Sequence, residues 1–162
     1  MGGMETTSTT RPVSRAVVER FYKAFAERDM DAIAGFLADD VVWTISGPVD
    51  LLPFCGQRTG KAAVMKLLER DIPEFLAKRR FVPNAMLMDG DRAAVLGRLL
   101  ATKRQGGHAI SYRTAHFMRF RDDKVIEYVS IIDSFDAVEQ MIGRPLDVRD
   151  GGNPSVGDLV AI

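Results

Sequence analysis

The chain has 162 residues, the size of one domain, and its 46% hydrophobic and 27% charged residues are typical of a globular protein. Its 22 basic residues balance 22 acidic residues, so no net charge favours binding to nucleic acid or to an anionic membrane. A single cysteine, Cys55, excludes an internal disulfide, and no apolar stretch reaches membrane-spanning length. We therefore expect a cytoplasmic protein with no nucleic-acid partner and no membrane association.

Helical periodicity marks the beginning of the chain. Apolar residues recur at helical spacing between residues 13 and 28, and Ser14 is the expected N-cap. Asp29 is positioned to open a second, short helix, which we expect to stop at Asp39-Asp40.

A strand and a third helix follow. The β-branched run of residues 41–45 predicts a strand, and the glycines and prolines of residues 46–60 predict a loop. A helix is expected from residue 61 to 71, with a kink or new turn at Pro73, since proline removes a helical hydrogen bond. The short basic run Lys78-Arg79-Arg80 lies near this predicted helix end, where cations complement the helix dipole.

The second half of the chain predicts a meander of strands. Hairpin turns are indicated at Asp89-Gly90-Asp91, Gly106-Gly107 and Asp122-Asp123. They separate strands predicted near residues 80–88, 92–103, 109–120 and 124–132. A last helix, over residues 134–142, ends at Gly143. Helices followed by an antiparallel meander predict an α+β fold with the helices on one face of the sheet.

Two segments and the order of the elements resemble the nuclear transport factor 2-like superfamily, and within it the SnoaL-like, ketosteroid-isomerase-related proteins. One segment runs from Ala26-Glu27-Arg28-Asp29 to Val41-Val42-Trp43, and the other runs from Lys124 to Asp133. The resemblance implies a cone, in which a strongly curved antiparallel sheet packs against N-terminal helices and encloses a pocket. We divide the chain into a disordered leader (1–11), a SnoaL-like cone domain (12–145) and a C-terminal tail or arm (146–162).

Only some catalytic residues of the resembled families have a counterpart in this chain. The tyrosine of ketosteroid isomerases falls at Phe21, its general-base aspartate near Ile45 and its second aspartate at His116. Because Phe21 cannot donate a hydrogen bond and Ile45 cannot take a proton, the resemblance does not imply steroid isomerisation. Arg98 and Asp133 resemble two of the three catalytic residues of limonene-epoxide-hydrolase-like members. Asp133 also resembles the general base of SnoaL-like polyketide cyclases.

Strand alternation groups the candidate site residues, because residues two apart share a face. If His116 points into the cone, so does Tyr112, and Asp133 shares its face with Ile131. We predict that Asp133 removes a proton next to a carbonyl, while His116 or Tyr112 stabilises the oxyanion. The predicted catalytic residues are thus Asp133 and His116. The predicted substrate-binding residues are Trp43, Arg98, Tyr112, Met118 and Ile131.

Structural interpretations of the same residues stay open. Asp133 directly precedes the last helix and is equally suited to cap it. His116 can be a core histidine, Trp43 a packing residue, and Arg98 either the partner of Asp133 or a solvent-facing side chain.

The sequence therefore predicts a small-molecule-binding protein, acting as a cofactor-free isomerase, cyclase or lyase on a small hydrophobic carbonyl compound. A non-catalytic ligand-binding or dimerisation module is the alternative. The two histidines have no metal-ligand spacing, and His108 beside the glycine turn is expected at the surface, so no metal site is predicted. The outward sheet face, with Phe117, Tyr128 and Ile132, predicts a homodimer, since family members typically dimerise through it.

Overall fold

The computed structural model describes residues 11–146, so most of the predicted leader and tail lies outside the described residues. Between these limits the chain forms α helices, one π-helical turn and a six-stranded sheet. The helices are α1 (Arg15–Glu27), α2 (Met30–Phe36), α3 (Lys61–Lys66), the π turn (Leu67–Asp71), α4 (Ile72–Phe75) and α5 (Ser134–Ile142). The strands are β1 (Leu37–Ser46), β2 (Gly56–Thr59), β3 (Leu76–Asp89), β4 (Arg92–Lys103), β5 (Ala109–Arg121) and β6 (Lys124–Ile132).

The first two helices begin where their capping residues predict. The side chain of Ser14 accepts a hydrogen bond from the Val17 N–H, and that of Asp29 accepts one from the Ala32 N–H. Helix α2 ends at Phe36, earlier than predicted, because Leu37 already has extended backbone angles and begins β1.

Helix α3 continues through the π turn into α4, and Pro73, where a kink or new turn is predicted, lies just after the π turn. Pro73 lies in the first turn of α4, a position that tolerates a missing N–H, and the wider π turn directly precedes it. The basic run Lys78-Arg79-Arg80 lies in strand β3, so the helix-end position predicted for it is wrong.

The sheet has the strand order β2-β1-β6-β5-β4-β3. Strands β3 to β6 form the predicted antiparallel meander, and Asp122 and Asp123 both have positive φ, as a two-residue hairpin turn requires. Strand β1, however, pairs with β6 in parallel, so the curved sheet is mixed and not purely antiparallel. The predicted loop 46–60 also contains β2, which pairs with β1.

The core lies between the helices and the inner face of the sheet. Phe21 of α1 and Ile33 of α2 are at most 1% exposed, and they pack with buried strand residues such as Leu37 and Val125. Burial of a side chain of this size contributes about 1.5–3 kcal/mol, which fixes the helices on the sheet. Among residues 11–146, none of the helices combines the length and apolar composition needed to span a lipid bilayer.

Candidate functional site

A cavity of about 660 Å³ lies between the helices and the inner face of the curved sheet. This volume falls within the range of pockets that bind small molecules, roughly 300–1,000 Å³. Its wall is largely apolar and comes from both layers of the fold. Apolar lining residues include Phe25, Ile45, Phe54, Leu68, Phe81 and Leu99.

Tyr22 and His116 meet on the wall of this cavity. The Oη atom of Tyr22 lies 2.8 Å from Nδ1 of His116, a hydrogen-bond distance. Tyr22 comes from α1, and His116 comes from β5, where it alternates with outward-facing residues. The ring of Phe81 lies 4.4 Å from that of His116 and shields it from water. The contact therefore joins a helix to the sheet through two groups that can transfer protons.

Burial sets the protonation states of this pair. It lowers the pKa of His116 to about 4, so the imidazole is neutral at pH 7. Burial also raises the pKa of Tyr22, which therefore stays a phenol. Nε2 of His116 has no hydrogen-bond partner among the described residues, and protein atoms do not enclose it. That nitrogen is available to a molecule in the cavity.

Further polar side chains line the same wall. Thr114 Oγ1 and Ser130 Oγ are 3.0 Å apart and hydrogen-bonded, and Ser130 lies opposite His116 in the sheet. Burial raises the pKa of Tyr112 and of Tyr128, so both remain uncharged phenols. This part of the cavity wall thus offers hydroxyl groups and one imidazole within an apolar surface.

Trp43 contributes a packed indole to the wall. It stacks on Tyr128 with ring centroids 3.6 Å apart and an angle of 9° between the planes. Its Nε1–H is enclosed and has no acceptor among the described residues. Such a buried, unpaired donor costs free energy, so packing of the large ring must outweigh that cost.

Tyr22 is the site residue that the family resemblance missed. The resemblance places the tyrosine position at Phe21, but Phe21 is buried in the core and the next residue, Tyr22, contacts His116. Tyr22 lies four residues after Val18 and three before Phe25, so it shares their helix face. Helical spacing could therefore have placed Tyr22 on the inner face of α1, although not beside His116.

Three predicted site residues line the cavity and one lies near it. His116, Trp43 and Tyr112 are among the lining residues, whereas Met118 is buried on the same face of β5 but outside the cavity. The predicted alternation of β5 matches the observed burial. The roles assigned to these residues remain predictions.

Asp133, Arg98 and Ile131 lie outside the cavity, so their predicted placement in the pocket is wrong. Asp133 is exposed and caps α5, where its carboxylate accepts a hydrogen bond from the Asp136 N–H at 3.4 Å. Arg98 is exposed and donates to the Ser111 hydroxyl at 2.9 Å, and no ion pair joins it to Asp133. Ile131 is 50% exposed.

One physical reason explains the error on β6. Strand β6 ends at Ile132, so alternation counted back from Asp133 assigns the side chains of residues 128–132 to the opposite face. Tyr128 and Ile132, predicted to face outward, are buried on the inner face, and Ser130 lies with them. On β4, Leu96 and Leu100, which alternation places on the face of Arg98, are likewise exposed.

The described residues hold no cluster of three or more histidine, cysteine, aspartate or glutamate side chains arranged for a metal ion. His108 is exposed at its turn.

Comparisons with known proteins agree with this architecture. A family model described as a SnoaL-like domain matches residues 18–128. A crystal structure from Rhodopseudomonas palustris, which carries the provisional name of an isomerase, is 31% identical, with a TM-score of 0.72; the match covers 82% of this chain and 100% of that one. A search of curated proteins finds no match.

Two further solved structures share the fold. An NTF2-like protein from Burkholderia pseudomallei is 26% identical with a TM-score of 0.69, and the match covers 79% of this chain and 93% of that one. An LEH-like epoxide hydrolase from M. tuberculosis is 16% identical with a TM-score of 0.64, covering 79% and 88% of the two chains. At that identity the likeness concerns the fold alone.

Proposed function

Because this chain belongs to the SnoaL-like domain family, we propose that its cavity binds a small hydrophobic carbonyl compound and catalyses a proton transfer on it without a cofactor. The reaction is of the isomerase, cyclase or lyase type. The 2.8 Å contact between Tyr22 and His116 on an apolar cavity wall carries the proposal. The provisional isomerase name of the 31% identical relative supports the same reaction class.

Each member of the pair has a distinct role in this proposal. With its proton on Nδ1, His116 donates a hydrogen bond to Tyr22 Oη and keeps a lone pair on Nε2. Nε2 takes a proton from the carbon next to the ligand carbonyl, and the electrons of the broken C–H bond form an enolate. The Tyr22 O–H donates to the enolate oxygen. Return of the proton to a different carbon completes an isomerisation.

The low basicity of His116 restricts the substrate. A base with a pKa near 4 removes protons only from carbon acids that are themselves acidic, such as a C–H between two carbonyl groups. Its low pKa also means that the imidazole is unprotonated throughout the neutral range and ready to act. We therefore expect activity on activated C–H bonds.

Non-catalytic ligand binding is the second candidate, and a specific observation favours it. Glu19 is the one acidic side chain among the described lining residues, and it is exposed. The buried wall thus lacks the carboxylate base that the sequence predicted in Asp133. The cavity would then hold its ligand through apolar contacts and the tyrosine hydroxyls.

Exchange of C–H protons for deuterium separates the two candidates without requiring the natural substrate. Apolar compounds with two flanking carbonyl groups are incubated with the protein in D₂O, and loss of the proton signal is followed by NMR. We expect the wild type to accelerate exchange. His116→Gln should lower the rate on the order of 100-fold, and Tyr22→Phe should lower it by a similar factor.

His108→Gln is the matched control, because it removes the other histidine from an exposed position. Its exchange rate should equal that of the wild type. Ligand affinity of each variant is measured in parallel by calorimetry. Binding without any exchange would exclude the catalytic role and leave the second candidate, whereas equal exchange in His116→Gln would exclude His116 as the base.

We further propose that the outer sheet face forms a homodimer. Leu96, Phe117 and Ile131 are each about half exposed on this face, and the sheet register brings Leu96, Ala115 and Ile131 into one row. An exposed apolar row of this kind favours a protein partner. Sedimentation analysis should show a dimer for the wild type and a monomer for Phe117→Lys; a monomeric wild type would refute the proposal.

A further inference from the structure

Cations concentrate at one part of the cavity wall although the chain has no net charge. The charged lining residues are Glu19, Lys23, Arg28, Arg79 and Arg80, so four cations accompany one carboxylate. Lys23 lies 3.7 Å from Glu27, but the three arginines form no ion pair with any described residue. The local charge is therefore positive and uncompensated.

Arg79 lies at a bulge in β3 and lines the cavity. The pairing of β3 with β4 shifts by one residue between Ala77 and Arg80, so β3 carries one extra residue there. Lys78 has a φ of 47°. Regular strands have negative φ values, and a positive φ costs free energy for a residue other than glycine. Arg79 is two residues from Phe81, which also lines the cavity, so both side chains lie on the same face of β3.

Arg79 is held partly out of water and forms no ion pair with residues 11–146. It is half-buried, whereas its neighbours Lys78 and Arg80 are exposed. Partial burial, reinforced by the charges of Arg28 and Arg104, lowers the pKa of Arg79. A guanidinium withdrawn from water is stabilised when an anion pairs with it, most effectively a carboxylate bound by two parallel hydrogen bonds. The free protein lacks that anion among its own described side chains.

We propose that the ligand is an apolar acid, whose carboxylate pairs with Arg79 while its hydrophobic body fills the cavity. This inference rests on the proposed function for the apolar part of the site. It adds the chemical class of the ligand: a hydrophobic carboxylate is bound in preference to a neutral molecule of the same shape. Arg28 and Arg80 increase the local positive potential that attracts the anion.

Naphthoate and naphthamide provide a matched pair of probes, because they share the ring system and a carbonyl and differ in charge. Their dissociation constants are measured by calorimetry with wild type, Arg79→Gln and Arg20→Gln. Arg20 lies exposed on α1 and outside the cavity lining, so its variant makes the same change in net charge away from the site. We expect naphthoate to bind the wild type at least tenfold more tightly than naphthamide.

Arg79→Gln should abolish this preference and leave naphthamide binding unchanged, whereas Arg20→Gln should retain it. Because Arg79 pairs with no described side chain of the free protein, its variant should also unfold at the same temperature or higher. Equal binding of the two probes by the wild type would overturn the anion site while leaving the apolar site intact. A preference that survives in Arg79→Gln would also overturn it. Binding of neither probe would overturn the proposed function itself and this inference with it.

Discussion

The pH dependence of the free energy of unfolding reports how deeply His116 is buried. Burial lowers the pKa of His116 from 6.5 to about 4 in the folded protein. The unfolded chain takes up the proton at the ordinary pKa, so between these two values the unfolded state binds more protons than the folded state. The free energy of unfolding therefore falls as the pH decreases from about 6.5 to about 4 and is insensitive to this group below that range.

The expected loss follows from the difference between the two pKa values. A pKa difference of one unit corresponds to about 1.4 kcal/mol, so His116 accounts for about 3 kcal/mol of stability between pH 7 and pH 4. This is a large fraction of the total stability of a small domain, about 5–15 kcal/mol. His116→Gln removes the ionisable group and should remove this component of the pH dependence.

Urea unfolding at a series of pH values provides the assay, with the fluorescence of Trp43, the single tryptophan, as the signal. Carboxylates such as Asp39, whose pKa is lowered by Lys61, add a background that the variants share. The decisive quantity is therefore the difference between wild type and His116→Gln. His108→Gln should follow the wild type. Parallel curves for wild type and His116→Gln would show that the imidazole ionises at the same pH in both states, and would refute its burial.

Three further substitutions test other parts of the structure by urea unfolding. Gly97→Ala should destabilise by about 1–3 kcal/mol, because a Cβ atom there would overlap the ring of Phe81 and the backbone of β3; wild-type stability would contradict this packing. Thr114→Val should cost about 1–3 kcal/mol by leaving the Ser130 hydroxyl without its partner, and the double variant with Ser130→Ala should recover part of the loss. Asp133→Ala should cost about 1 kcal/mol as a lost N-cap without changing ligand affinity, and an altered affinity would return this residue to the site.

The sequence determined the elements whose signals are local. The caps at Ser14 and Asp29 locate α1 and α2, because each side chain bonds to a backbone N–H three residues away. The turn residues Asp122-Asp123 locate a hairpin. On β5, polar and apolar faces differ enough that alternation predicts the burial of His116 and Tyr112. These signals depend only on residues close together in the chain.

Other features depend on contacts that the sequence does not display. Strand β4 carries apolar residues on both faces, among them Leu96 and Val95, so composition cannot identify its inner face. The position of Asp133 just beyond the end of β6 decides whether its carboxylate enters the cavity or caps a helix. The parallel pairing of β1 with β6 joins residues 85 positions apart, as in the pair Trp43 and Tyr128, and such long-range pairing leaves no local pattern.

Tertiary structure determined where the Tyr22–His116 pair and Arg79, the main residues of the proposed site, are placed. Tyr22 and His116 are 94 positions apart, and only the packing of α1 on the sheet brings their polar atoms to 2.8 Å. Arg79 belongs to a basic run that was expected near a helix end, but that run lies in β3, where Arg79 lines the cavity. The sequence thus determines which side chains are available, whereas long-range packing determines which of them share one apolar cavity, because burial and proximity arise only when distant segments meet.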